Sequence, residues 1–218
     1  MIIVNFKNYE SAVGANAVTL AKIHEVIATE TGAPIAVAVS ALDLEKVIEA
    51  VKIPVFAQGF DVAEFGSSTG KIVPQLLKQA GAAGSLLNHS ENRVVENLGE
   101  LVEAGKKAGL QIVICAENDF EAAEFAEKFQ PDFVAVEPPE LIGGDISVTT
   151  ANPEIIENSV AKVGATPLLV GAGVKNGQDV ATALKLGAKG VLLASGVTKA
   201  PDPTEVLRDL ASGLSSSS

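Results

Sequence analysis

Three groups suited to moving a proton stand at the ends of apolar runs. Glu137 follows Phe133-Val134-Ala135-Val136 and is held by Pro138-Pro139. A carboxylate there is partly desolvated, which favours its neutral form and makes it a better base. The bland alternative is a solvated loop glutamate. His89, in Asn88-His89-Ser90-Glu91, is one of two histidines. It opens a helical pattern, and a helix N-terminus disfavours imidazolium, so a neutral ring could donate to an oxyanion; a structural histidine is the alternative. Lys7, in Asn5-Phe6-Lys7, could attract an anion and stabilise developing negative charge, or simply be solvated. Asn5, two residues earlier on a strand, points the same way. Glu91 either pairs with Lys7 or favours the first turn of the following helix. His24 lies inside a helical pattern and reads as a surface residue.

Small-residue turns complete the set. Gly171-Ala172-Gly173 and Ala194-Ser195-Gly196 expose backbone N–H groups of the kind that bind phosphate. Leu141-Ile142-Gly143-Gly144-Asp145 has an apolar tip and two glycines after a rigid Pro-Pro, the composition of a lid that excludes water, although an ordinary loop has it too. Cys115 is the sole cysteine, so no internal disulfide forms, which fits a reducing cytosol. It has no His or Cys at ligand spacing, so a metal centre is a poor reading.

The elements that must position these groups are short and regular. Apolar runs at 2–6, 35–39, 55–58, 84–87, 111–115, 133–136, 167–170 and 190–193 do not alternate with polar residues, as suits parallel strands buried on both faces. Helical patterns fall at 15–31, 42–51, 72–80, 91–108, 120–129, 153–163, 178–186 and 203–212, with Gly32, Gly81, Gly109 and Gly187 placed as C-terminal caps. Repeated strand–helix pairs without a linker predict an α/β fold, a single closed eight-stranded parallel β/α barrel over 1–214, with 215–218 a frayed serine tail. An open doubly wound sheet is the rival. In a barrel, residues ending the first, fourth, sixth, seventh and eighth strands meet at one mouth.

Composition narrows the partners. The net charge is −11, from 27 acidic and 16 basic residues, which argues against nucleic acid or anionic membranes but not against an anionic small substrate bound at a local site. The start has no basic region followed by a long apolar stretch, and no apolar run approaches a membrane span, so a cytoplasmic protein is expected.

Leu87-Asn88-His89-Ser90-Glu91-Asn92-Arg93 and Val136-Glu137-Pro138-Pro139-Glu140-Leu141-Ile142-Gly143 resemble triosephosphate isomerase, in particular its short archaeal-type branch, and the likeness runs from Val4-Asn5-Phe6-Lys7 to Leu193-Ala194-Ser195-Gly196-Val197. The resemblance implies Glu137 as base, His89 as electrophile, and Asn5 and Lys7 as substrate-binding residues, a scheme already known for the family. Gly143, Gly173, Ala194 and Ser195 would offer amides to the phosphate of dihydroxyacetone phosphate or glyceraldehyde 3-phosphate, with no metal or other cofactor. A homodimer or homotetramer is implied, with Thr69 of the 66–70 loop inserted beside Asn5, Lys7 and Glu91 of a second subunit. Two departures stand out. Gly144-Asp145 replaces a common Thr-Gly in the lid, and Gly59-Phe60 replaces a more usual His-Ile. The competing readings are a non-catalytic sugar-phosphate binder and another phosphate-binding barrel enzyme, such as a phosphate-ester synthase.

Overall fold

In the computed structural model, which describes residues 1–144 and 147–215, eight parallel strands close into one barrel in sequence order. The strands are β1 (Ile2–Asn5), β2 (Ile35–Val39), β3 (Val55–Ala57), β4 (Gly84–Leu87), β5 (Gln111–Ala116), β6 (Phe133–Val136), β7 (Leu168–Val170) and β8 (Gly190–Leu193). The β1–β8 pairing, Ile2 opposite Val191 through Val4 opposite Leu193, closes the ring and eliminates the open-sheet alternative. Between the strands run α1 (Ala15–Thr31), α2 (Leu44–Ala50), α3 (Pro74–Gln79), α4 (Leu98–Lys107), α5 (Asp119–Phe129), α6 (Val148–Ala151), α7 (Pro153–Lys162) and α8 (Gly177–Lys185), and α9 (Ser195–Thr198) and α10 (Pro203–Ser215) follow β8.

Side chains alternate across each strand, so every strand feeds two cores. Ile2, Val4, Val37, Ile112, Ile114, Val134 and Val170 face outward and pack under the helices. Ile3, Ala36, Ala38, Phe56, Leu86, Val113, Cys115, Ala135, Leu169 and Leu192 fill the barrel itself. The interior is a solid layer in which small residues offset one large ring. A Cβ on Gly84 would lie 2.3 Å from Gln111 O and 2.5 Å from the Phe56 ring, so the glycine makes room for both the β5 backbone and the phenyl group. Asn5 continues the inward side of β1 above Ile3, and Glu137 continues that of β6 above Ala135. The barrel's packing thus delivers both polar groups to its C-terminal mouth.

Three expectations need correction. The fourth helix starts at Leu98 rather than residue 91; a turn closed by Asn92 N–H to His89 O and a 3-10 turn at Val95–Asn97 come first. His24 is fully buried, tilted against Phe6 with ring centroids 5.3 Å apart, and its Nδ1 lies 2.7 Å from Leu20 O. Burial lowers its pKa to about 4. The last helix extends through Ser215, the first residue of the expected tail; 216–218 lie outside the described residues, as does Asp145 of the expected lid.

Candidate active site

Asn5, Lys7, His89, Glu137, Gly143, Gly173, Ala194 and Ser195 line one cavity at the C-terminal ends of the strands. Glu91 borders an adjoining cavity with Asn8, Gln58 and Asn92. All nine expected site residues therefore meet at one mouth.

Glu137 is buried, and its Oε2 has no hydrogen-bond partner among the described residues. Burial raises its pKa to about 7, and the Cys115 thiol and the Lys7 cation offset only part of that rise. His89 is buried as well. Burial first, and the Lys7 cation second, hold its pKa below the usual histidine value, while Glu91 opposes them. The helix dipole expected to do this is absent, because the helix starts nine residues later. Glu91 N–H donates to His89 Nδ1 at 3.1 Å. Nδ1 is thus the acceptor and, in the neutral ring, Nε2 carries the proton. Nε2 lies 3.7 Å from Glu137 Oε2, too long for a hydrogen bond. Since each pKa moves toward the neutral form, this is a facing acid–base pair rather than an ion pair.

Lys7 has φ 49°, in the left-handed region. Two contacts hold it there: its N–H donates to Asn5 Oδ1 at 3.0 Å, and its carbonyl accepts from Gln58 Nε2 at 3.0 Å. The same Gln58 amide lies 3.2 Å from Asn5 Oδ1. The ammonium meets Glu91 Oε1 at 2.6 Å. Glu91 is well exposed, so this pair orients the lysine more than it stabilises the fold. Asn88 (φ 60°) and Ala172 (φ 73°) are left-handed too, at the ends of β4 and β7. Non-glycine residues adopt this conformation at a cost of about 1–3 kcal/mol each, and three of the four in the described chain ring the mouth.

Among the described residues, the N–H groups of Gly143, Gly173 and Ser195 donate to no backbone carbonyl. They border the cavity from three directions: the loop after β6, the turn after β7, and the start of α9, where Ala194 is the N-cap. Such a set of amides suits an anion.

A family model for triosephosphate isomerase matches residues 1–210. The chain belongs to the triosephosphate isomerase family. The triosephosphate isomerase of Methanopyrus kandleri is 46% identical over 220 residues, covering 98% of this chain and 97% of that one. That of Methanobacterium bryantii is 45% identical over 221 residues, covering 98% and 96%. These relatives agree with the archaeal-type resemblance. The crystal structure of triosephosphate isomerase from Bartonella henselae superposes with a TM-score of 0.73 at 17% identity, over 98% of both chains, a likeness of fold.

Sequence reasoning assigned no role to Gln58, Tyr9 or Cys115. Tyr9 lines both cavities, and its ring takes a cation–π contact from Lys199 Nζ at 4.1 Å. Gln58 was legible as the polar residue ending the third strand, the rule that found the others. Cys115 carried no such signal, because its contact with Glu137 depends on strand register.

Proposed function

We propose that this mouth carries out the family's aldose–ketose isomerisation, with Glu137 as base and His89 as electrophile. Glu137 takes a proton from the carbon beside the substrate carbonyl and returns it to the adjacent carbon. His89, donating through Nε2–H, and Lys7 stabilise the enediolate oxygens, and His89 moves protons between them. Asn5 binds substrate and fixes Lys7. The amides of Gly143, Gly173, Ala194 and Ser195 hold the phosphate, and residues 141–144 close over it.

The observation that carries this reading is the pairing of a buried carboxylate whose pKa is raised to about 7 with an imidazole whose Nδ1 is committed to a backbone N–H. The experiment is isomerisation of glyceraldehyde 3-phosphate without added metal or cofactor, for the native chain and for Glu137→Gln. The native chain turns over, and Glu137→Gln folds with turnover at least ~10²-fold lower. A folded Glu137→Gln with normal turnover would remove Glu137 from this role.

The working form is a homodimer or an assembly of dimers in the cytoplasm. In support, Val62, Phe65, Ile72 and Leu76 expose apolar surface around the 66–70 loop. The cavity shared by Asn8, Gln58, Glu91 and Asn92, about 480 Å³, adjoins Lys7 and has room for a loop from a second copy. No helix among the described residues is long and apolar enough to cross a membrane.

A further inference from the structure

We propose that Gly171 is a positioning residue for the base: the absence of a side chain there is what seats Glu137. This rests on Glu137 as the base and concerns what holds it.

Strand register sets up the contact. Ala135 pairs with Leu169 and Val136 with Val170, and Gly171 N–H donates to Val136 O at 2.9 Å. The next inward positions on the two strands are therefore Glu137 and Gly171, side by side above Ala135 and Leu169. The Glu137 side chain occupies the space a neighbouring side chain would fill. A Cβ built on Gly171 would lie 2.5 Å from Glu137 Cγ, 2.5 Å from Oε1 and 2.8 Å from Cδ. The three nearest heavy atoms thus all belong to the base.

Backbone conformation does not explain this glycine. Its φ lies outside the left-handed region, unlike those of Ala172 and Gly173 beside it. Alanine can adopt the backbone, and the clash is all that it adds. Relief by a backbone shift is hindered on both sides. Gly171 is tied to β6 through Val136, and Ala172 O accepts from Val148 N–H at 3.1 Å. Oε2 has no partner among the described residues and the Cys115 thiol is a weak donor, so the carboxylate has little hydrogen bonding to resist displacement. Its place is set by shape, and a methyl group on residue 171 would push it out of the mouth. The raised pKa of Glu137 is a consequence of this burial.

The test is Gly171→Ala beside Glu137→Gln, Glu137→Ala and the double variant Glu137→Ala/Gly171→Ala. Gly171→Ala is expected to lower kcat at least ~10-fold with KM changed less than about threefold, because the phosphate amides remain while the base is misplaced. The acid limb of its kcat/KM profile should move below pH 7, as a displaced carboxylate regains water. Its denaturation midpoint should fall, and the fall should vanish in the Glu137→Ala background, which lacks the clashing atoms. If Gly171→Ala does not fold, the double variant must fold. The proposal is overturned by native kcat in Gly171→Ala, by a loss carried in KM alone, or by an equal loss of stability with and without the Glu137 side chain. Native turnover in Glu137→Gln would overturn the base assignment and this proposal together; abolished turnover there with native turnover in Gly171→Ala would overturn this proposal alone.

Discussion

Ionising Glu137 works against the fold. Burial raises its pKa from the ordinary value of 4.5 to about 7, so between these limits the native state binds more protons than the unfolded chain. Stability contributed by the protonated group is fully present below about pH 4.5 and is lost as pH rises through 7, a difference of roughly 3 kcal/mol. His89 acts in the opposite sense, because its lowered pKa makes acid unfavourable to the native state. With Glu137 as the proposed base, catalysis needs the ionised carboxylate, so kcat/KM should fall on the acid side of about pH 7. Glu137→Gln mimics the protonated form. It should be the more stable protein at pH 8, with the gap closing as pH approaches 4.5. Thermal melts of both proteins across this range check the sign; a gap that widens in acid would contradict it.

At the scale of elements, a polar network between α6 and α8 fixes the chain at the start of α6. Ser147 Oγ lies 2.8 Å from Thr149 Oγ1, which donates to Asp179 Oδ1 at 3.0 Å, while Asp179 Oδ2 accepts from Lys175 N–H at 2.9 Å. One buried carboxylate thus ties the exit of the loop after β6 to the turn that carries Gly173. Thr149→Val keeps the shape and removes the hydroxyl, leaving a carboxylate oxygen short of a donor, at a cost of about 1–3 kcal/mol. KM for the phosphorylated substrate should rise together with the loss of stability, as urea titration and steady-state kinetics would register. Unchanged KM would show that the start of α6 and the turn after β7 are not coupled in binding. The same scale separates what the sequence revealed from what it hid. The strands were legible because runs such as Ile35–Val39 are continuous, apolar and bounded by helix caps. The pieces at Pro139–Leu141, Val148–Ala151 and Ser195–Thr198 were not, since three or four residues carry no periodicity. The segment before α4 looks helical by composition, but left-handed Asn88, bonded through its amide to Cys115 O and by Val94 N–H, turns the chain first. His24 could have been placed correctly: Leu20, Ala21, His24 and Ile27 share one apolar stripe of α1. Gly171 could not, because its neighbour is set by the register between strands.

Considered whole, the barrel leaves its mouth open beside Lys7. If the 66–70 loop of a second copy fills that space, the contact repeats under two-fold symmetry and each site depends on its neighbour. Shortening 66–70 should then lower the assembly mass and the turnover together; a folded monomer with undiminished turnover would rule the dependence out. A further consequence lies in the barrel's interior, where Cys115, the sole thiol of the chain, is buried beside Glu137 with its ionisation suppressed. A sulfhydryl reagent meets it only when the barrel around it opens, so the labelling rate is a clock for opening of the ring beneath its mouth. That rate should climb with denaturant as steeply as global unfolding does and slow when a phosphate analogue occupies the mouth. Labelling indifferent to denaturant would instead reveal a private fluctuation of the ring, in which the barrel breathes beneath its own mouth.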